Sequence, residues 1–237
     1  MGNETAGSMF AENLRRVRQR IANAAARAAR QAEDIDIIAV TKTQSVQAIQ
    51  AAVVAGLTTL GENRVQEWDS KRSAFEGSGI RCHLIGHLQS NKSRKAAAIF
   101  DRIDSVDSLP LAERLDAAAG ELEKRLGVLI EVHLSGEESK SGVEIKELDE
   151  LADGIIGSDN LDLLGLMTIP PLIENVELVR PYFRQLRELR DGLRGPRRPE
   201  LPVLSMGMSH DFEVAIEEGA TEVRLGTALF GARLANA

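Results

Sequence analysis

The feature that most constrains the fold is a regular alternation of short apolar segments with amphipathic helical segments along the chain. Eight segments have the pattern of strands, and each except the last is clearly followed by a helical pattern. Their ranges are 35–42, 59–63, 82–88, 102–106, 128–134, 161–169, 203–206 and 223–225. Strands separated by helices predict a parallel sheet, and eight such units predict a single α/β domain closed as a (β/α)₈ TIM barrel. An open doubly wound sheet is the alternative.

An additional amphipathic helix precedes the first strand. Its apolar residues recur at steps of four and three from Phe10 to Ala28, with arginines on the other faces. Residues 1–8 show no such pattern and are predicted to be a disordered extension, so the barrel domain is assigned to residues 9–237. Gly127 is expected to end the helix that begins near Leu111, and the pair Pro170 and Pro171 to end the sixth strand.

Composition and charge narrow the classes of partner. A net charge of -7 argues against a nucleic-acid-binding protein, which normally has a basic face. No apolar run approaches the roughly 20 residues that a membrane-spanning helix needs, and no secretion signal is evident at the amino terminus. Cys82 is the single cysteine, so an internal disulfide is impossible. We therefore expect a cytoplasmic protein that contacts neither nucleic acid nor membrane.

Lys42 ends the first apolar strand, and its position is unusual. A buried ammonium group is costly unless it is paired, neutralised or used covalently. A solvated lysine at a strand end is the ordinary explanation, but the preceding residues are mostly apolar. Burial lowers the pKa of a lysine, and the free amine can then form a Schiff base with an aldehyde. Lysine by itself does not identify the aldehyde, since a sugar-aldolase barrel would also place one at a strand end.

The last two strand ends have the features of a phosphate site. Ser209 lies where the seventh strand turns into a helix, and it is a candidate to cap that helix and to bind phosphate, two roles that can coexist. Gly207 and Gly226 would let backbone amides approach phosphate oxygens, and Thr227 adds a hydroxyl. In (β/α)₈ barrels the loops after strands seven and eight frequently bind phosphate.

Arg224 lies in the eighth strand, on the same face as Gly226. A pyridine nitrogen facing this guanidinium can only accept a hydrogen bond and stays unprotonated, which makes the ring a weak electron sink. A lysine amine, a phosphate cradle and an arginine at neighbouring strand ends are the parts needed to hold pyridoxal 5'-phosphate (PLP). The arginine favours holding the cofactor over carbanion chemistry.

Eight motifs occur in a fixed order that extends over nearly the whole chain. They occupy residues 39–42, 61–64, 83–92, 105–108, 135–142, 165–171, 205–209 and 223–231. Together they closely resemble the pyridoxal phosphate homeostasis proteins, also called proline synthase co-transcribed proteins, whose fold is like the amino-terminal barrel of alanine racemase. The resemblance implies covalent attachment of PLP to Lys42 and contact of Arg224 with the pyridine nitrogen. It further implies that the phosphate binds at Ser209, Gly226 and Thr227, and that Asn63 and Met167 line the ring pocket.

The chain departs from the family pattern at Asp104, where a histidine is expected, and at His133, where asparagine is more usual. Lys140 lies in a strand-end loop and is a candidate to receive or sense the cofactor. His83 and His87 are four residues apart, but their strand context disfavours a metal site. The basic run 91–95 is most simply a solvated helix start, with attraction of a phosphate ligand or an acidic partner as the alternative.

Two functions fit these residues. The first is a non-catalytic, monomeric carrier that stores PLP and delivers it to apo-enzymes. The second is an amino-acid racemase, which needs a second proton donor such as the tyrosine that alanine racemases take from another domain. We expect no such domain here, and we expect the single tyrosine, Tyr182, to pack against the barrel. An aldolase is less favoured, because no paired acid or base is evident near Lys42.

Overall fold

The computed structural model describes residues 2–134, 141–193 and 199–231, and eight parallel strands in it close a barrel in chain order. The strands are β1 (Asp36–Val40), β2 (Thr59–Glu62), β3 (Arg81–Leu84), β4 (Arg102–Val106), β5 (Leu126–Glu131), β6 (Leu161–Met167), β7 (Val203–Met208) and β8 (Glu222–Leu225). Closure comes from the pairing of β1 with β8, in which Ile38 lies opposite Arg224. The predicted (β/α)₈ barrel is confirmed, and the open sheet is wrong.

Helices surround the barrel. They are α1 (Gly2–Arg27), α2 (Val46–Val54), α3 (Val65–Lys71), α4 (Ser93–Ile99), α5 (Leu109–Glu121), α6 (Leu148–Ile156), α7 (Arg180–Leu193), α8 (Phe212–Glu217) and α9 (Thr227–Phe230). Helix α1 is the extra helix that precedes the first strand. It begins at Gly2, so its first residues lie in the segment 1–8 for which the sequence predicts a disordered extension. Among the described residues, no helix has the length and hydropathy needed to cross a membrane.

Apolar side chains pack in two separate layers. The larger layer lies between the strands and the helices and includes the fully buried Phe183 and Phe212. A smaller set is buried outside that cluster and lies inside the barrel: Ile38, Val40, Ile85, Leu129 and Met167. Because side chains alternate between the two faces of a strand, one strand can contribute to both layers, as β1 does with Ala39 outside and Ile38 inside. The residues inside the barrel form the floor of its mouth.

Some element boundaries differ from the sequence pattern. Helix α5 ends at Glu121, and Gly127 lies inside β5 instead of ending the helix. The positive-φ residue that follows the helix is Glu123, with φ of 52°, whereas Gly127 is needed for packing, since a Cβ atom there would lie 2.9 Å from Leu164 Cδ1. Strand β3 ends at Leu84, so His87 lies in the following loop.

A buried cluster of charges spans the barrel interior below the mouth. Arg102 in β4 binds both carboxylate oxygens of Asp104, at 2.6 and 2.8 Å, and both of Glu222 in β8, at 2.8 and 2.5 Å. These residues are at most 6% exposed. Arg102 and Glu222 also line a cavity of about 170 Å³ near the amino-terminal ends of the strands, together with His83. Asp104, a departure from the family pattern, is thus explained as one of the two anions that compensate the charge of Arg102.

Candidate functional site

Lys42 lies two residues beyond β1, in a turn at the carboxyl-terminal end of the barrel. Ile38 and Val40 occupy the barrel interior, so strand alternation directs Lys42 to the mouth. Lys42 is half-buried, which lies between the solvated and the buried positions that the sequence left open. A lysine in this position is partly shielded from water by the barrel and is still accessible to a ligand from solvent.

The turn that carries Lys42 is anchored to β2 and α3. Thr41 is fully buried, and its Oγ1 donates to Glu62 Oε1 at 2.8 Å. Lys71 Nζ donates to the carbonyl oxygen of Thr41 at 3.1 Å and to Glu62 Oε1 at 3.1 Å. On the other side of Lys42, the backbone N–H of Thr43 donates to Glu67. The backbone around Lys42 is therefore fixed on both sides.

Arg224 is buried in β8 and held rigidly by its neighbours. Its Nη1 donates to the carbonyl oxygen of Ser205 at 2.6 Å and to Ser205 Oγ at 2.9 Å, and its Nη2 donates to the carbonyl oxygen of Thr168 at 2.8 Å. Burial lowers the pKa of Arg224, and the nearby carboxylates of Asp104 and Glu131 oppose that effect. An arginine keeps its proton in proteins, so a fixed cation stands at the mouth.

Backbone amides converge where the sequence predicts a phosphate site. Ser209 Oγ accepts hydrogen bonds from the N–H groups of Gly226 at 3.3 Å and Ala228 at 3.1 Å. An anionic oxygen near this point would meet the same donors and the exposed Thr227. Ser209 does not cap α8, because Asp211 occupies the cap position and its Oδ1 accepts from the N–H of Met208 at 2.7 Å.

Gly207 has a structural function in the packing of α8 on β7. Its φ is +91°, and a Cβ atom there would lie 2.6 Å from Ala215 Cβ and 2.9 Å from Phe212 Cα. Gly207 therefore lets α8 pack directly against β7.

Asn63 and Met167 lie at two further strand ends. Asn63 follows β2 and is half-buried, while Met167 ends β6 and is fully buried inside the barrel. The loop after β3 packs closely on Asn63, since a Cβ atom on Gly86 would lie 2.5 Å from the carbonyl oxygen of Asn63. The fold thus brings all seven predicted site residues to one end of the barrel: Lys42, Asn63, Met167, Ser209, Arg224, Gly226 and Thr227.

Comparison with known proteins agrees with this architecture. A profile of the family "Alanine racemase, N-terminal domain" matches residues 11–234. The pyridoxal phosphate homeostasis protein of Aquifex aeolicus is 52% identical over 75% of this chain and 78% of its own length. The chain belongs to the pyridoxal phosphate homeostasis protein family. The Escherichia coli member is 45% identical over 94% of this chain and 97% of its own. PipY of Synechococcus elongatus, solved with PLP bound, is 37% identical over 94% of this chain and 100% of its own, with a TM-score of 0.83.

The sequence interpretation missed Glu131 in this family member. Glu131 ends β5, is 3% exposed and accepts a hydrogen bond from Ser141 Oγ at 2.8 Å. Burial raises its pKa, while the hydrogen bond from Ser141 and the charge of Arg224 act in the opposite direction. A charged residue at the end of an apolar strand is the signal that identified Lys42, and applied to β5 it would have identified Glu131 as well.

The remaining candidates lie elsewhere. Tyr182 is half-buried in α7 and packs against the core, as predicted. His83 faces the cavity below the mouth, whereas His87 is 57% exposed in the loop after β3. Within the described part of the chain, no group of three His, Cys, Asp or Glu side chains is arranged to hold a metal. Lys140 falls outside the described residues.

Proposed function

We propose that this protein binds PLP as a Schiff base on Lys42, stores it and delivers it to apo-enzymes in the cytoplasm. The observation that carries the proposal is the shared position of three groups at one barrel mouth. These are the amine of Lys42, the fixed guanidinium of Arg224, and the amides of Gly226 and Ala228 that converge near Ser209. The PLP reported in the PipY structure supports the same choice of cofactor.

Each site residue has a distinct task in this proposal. Lys42 supplies the amine, and the anchored turn around it fixes the position of that amine. The Ser209 hydroxyl, the Gly226 amide and Thr227 bind the phosphate, while Asn63 and Met167 line the ring pocket. Bound PLP supplies an aldehyde for amines and, when its ring nitrogen is protonated, an electron sink.

Arg224 favours holding the cofactor over carbanion chemistry. Three hydrogen bonds to Ser205 and Thr168 fix its guanidinium, which can only donate to a ring nitrogen. A carboxylate in this position would favour a protonated ring, and an arginine does not. The residues therefore support binding more strongly than catalysis, in agreement with relatives that are named for homeostasis.

The attachment site is tested by reduction and mass mapping. The protein is incubated with PLP, its visible absorption is recorded, and the adduct is reduced with borohydride and located by mass spectrometry. We expect the label on Lys42 and loss of the absorption band in Lys42→Ala. Lys146→Ala, which removes a lysine that is 77% exposed, is the matched control and should retain the band. Label on another lysine in the wild-type protein would contradict the assignment.

Amino-acid racemisation is the competing function. Glu131 favours it, because this buried carboxyl group lies at the end of β5 on the same edge of the barrel as Lys42. The PLP-loaded protein is incubated with L-alanine, and loss of optical rotation is followed. We expect no turnover above that of free PLP with the same amino acid. Turnover at an enzyme-like rate, abolished in Glu131→Gln, would overturn the carrier function.

A further inference from the structure

A polar cleft of about 510 Å³ lies beside the proposed PLP site, between the loops that follow β2 and β3. Its lining residues are Asn63, Arg64, Val65, Gln66, Gly86, His87, Leu88, Gln89 and Lys92. Asn63 is shared with the proposed ring pocket, so the two sites have a common wall. The volume is within the range of small-ligand sites. Of the described residues that line the cleft, none is acidic, although acidic residues outnumber basic ones by 36 to 29 in the chain.

Two cations in this cleft have no ion-pair partner among the residues that the structure describes. Arg64 is exposed, and Lys92 is half-buried. Glu67 interacts electrostatically with Arg64. The carboxylate of Glu67, however, already accepts hydrogen bonds from Lys71 Nζ at 2.7 Å and from the N–H of Thr43. The positive charge of Arg64 and Lys92 is therefore available to a ligand.

The other basic residues of the same segment are already paired. Arg94 Nε lies 3.0 Å from Glu121 Oε2, and Lys95 Nζ lies 2.8 Å from Asp69 Oδ1. In the cleft itself, His87 Nδ1 lies 3.2 Å from Asp107 Oδ2, which orients the imidazole and leaves Nε2 on the side away from Asp107. Within the basic run 91–95, Arg94 and Lys95 are thus paired with acids, whereas Lys92 faces the cleft and has no ion-pair partner among the described residues.

We propose that this cleft is a second anion site that binds the phosphate of a phosphorylated vitamin B6 compound adjacent to the Lys42 site. A planar guanidinium binds phosphate oxygens through two parallel N–H donors, and a lysine adds a mobile point charge. The proposal rests on the proposed function, since a neighbouring site for the same class of ligand gives a carrier a position from which PLP enters or leaves. Because Asn63 borders both sites, a ligand in the cleft stands directly beside the ring pocket.

The test uses protein whose first site is permanently filled. The protein is loaded with PLP, reduced with borohydride so that Lys42 carries the cofactor irreversibly, and then dialysed to equilibrium against pyridoxine 5'-phosphate, which has no aldehyde. Inorganic phosphate is measured in a parallel arm. We expect one further equivalent to bind, more weakly as salt is raised. In Arg64→Gln/Lys92→Gln the affinity should fall at least about tenfold, as expected when charge-assisted hydrogen bonds are lost.

The matched control is Arg94→Gln/Lys95→Gln, which removes the same net charge from the same surface and should bind like the wild type. Tighter binding of pyridoxine 5'-phosphate than of inorganic phosphate would show that the ring contributes to the affinity. Equal affinity would show that the phosphate group alone determines binding. Complete labelling of Lys42 without a further equivalent, or equal binding in Arg64→Gln/Lys92→Gln, would overturn the second site while leaving the proposed function intact. Failure to label Lys42 contradicts the proposed function, and the cleft is then tested on the untreated protein with inorganic phosphate.

Discussion

His83 is expected to make this protein sensitive to mild acid. It lies in β3, is 5% exposed, and faces the cavity that Arg102 and Glu222 also line. Its Nδ1 has no hydrogen-bond partner in the described structure, and the 3.9 Å to Asp104 Oδ2 is too long for such a bond. Burial, together with the charge of Arg102, lowers the pKa of His83 from 6.5 to about 3. The imidazole is therefore neutral in the folded protein at neutral pH.

The magnitude follows from the difference in proton binding between the two states. In the unfolded chain His83 binds a proton near pH 6.5, and in the folded protein only near pH 3. The stability associated with a neutral His83 is therefore fully present above pH 6.5 and is lost progressively as the pH falls toward 3. At pH 5, about 1.5 units below the unfolded pKa, the loss is about 2 kcal/mol, because each unit corresponds to about 1.4 kcal/mol.

The assay compares the wild type with His83→Gln, which keeps a polar side chain but does not titrate. The free energy of unfolding is measured with urea at pH 7 and at pH 5. Between these values the wild type should lose about 2 kcal/mol more than His83→Gln, while the carboxylates affect both proteins equally. His87→Gln, at a position that is 57% exposed, is the control and should follow the wild type. An equal pH dependence in wild type and His83→Gln would refute the reasoning.

Two further predictions concern the phosphate site and the barrel wall. Ser209→Ala should weaken PLP binding about tenfold, because the amides of Gly226 and Ala228 lose their acceptor and the phosphate loses a donor. Equilibrium dialysis measures the affinity, and the control Ser209→Thr should bind PLP normally. Unchanged affinity in the alanine variant would place the phosphate elsewhere. Gly165→Ala should lower the free energy of unfolding by about 3 kcal/mol, since its Cβ atom would overlap the carbonyl oxygen of Val203 in β7. The control is Gly192→Ala, in an exposed part of α7, where an added Cβ atom would have no neighbouring atom within 4 Å. This variant should raise the free energy of unfolding by about 0.5 to 1 kcal/mol. Similar thermal melting of the two variants would contradict this packing argument.

The barrel was predictable because its signals are local. Strand and helix periodicity can be read over a few residues, and eight repeats of that pattern are sufficient to choose a closed barrel. Placement of Lys42 and Arg224 at one end followed from the same reasoning, since parallel strands bring their carboxyl ends to a common edge. Boundaries were less predictable, because Glu123 and not a glycine takes the positive-φ position after α5, while Gly127 lies in β5 against Leu164.

The contacts that complete the site were not predictable in this way. Arg224 is fixed by Ser205 and Thr168, which are 19 and 56 residues away in the chain. Ser209 looked like a helix cap, but its acceptor is used by amides 17 and 19 residues further on. The segment 91–95 is a single basic run in the sequence, and only the fold separates its paired residues from the one that faces the cleft.

The amino-acid sequence by itself determined the order of strands and helices, the identity of the groups at the strand ends and the excess of acidic charge. The tertiary structure decided which buried charges compensate one another. Arg102 and Glu222 are 120 residues apart and meet across the barrel only once it has closed. A periodic pattern records which face of an element is buried, whereas hydrogen bonds depend on distances between elements, and those distances exist only after the chain has folded.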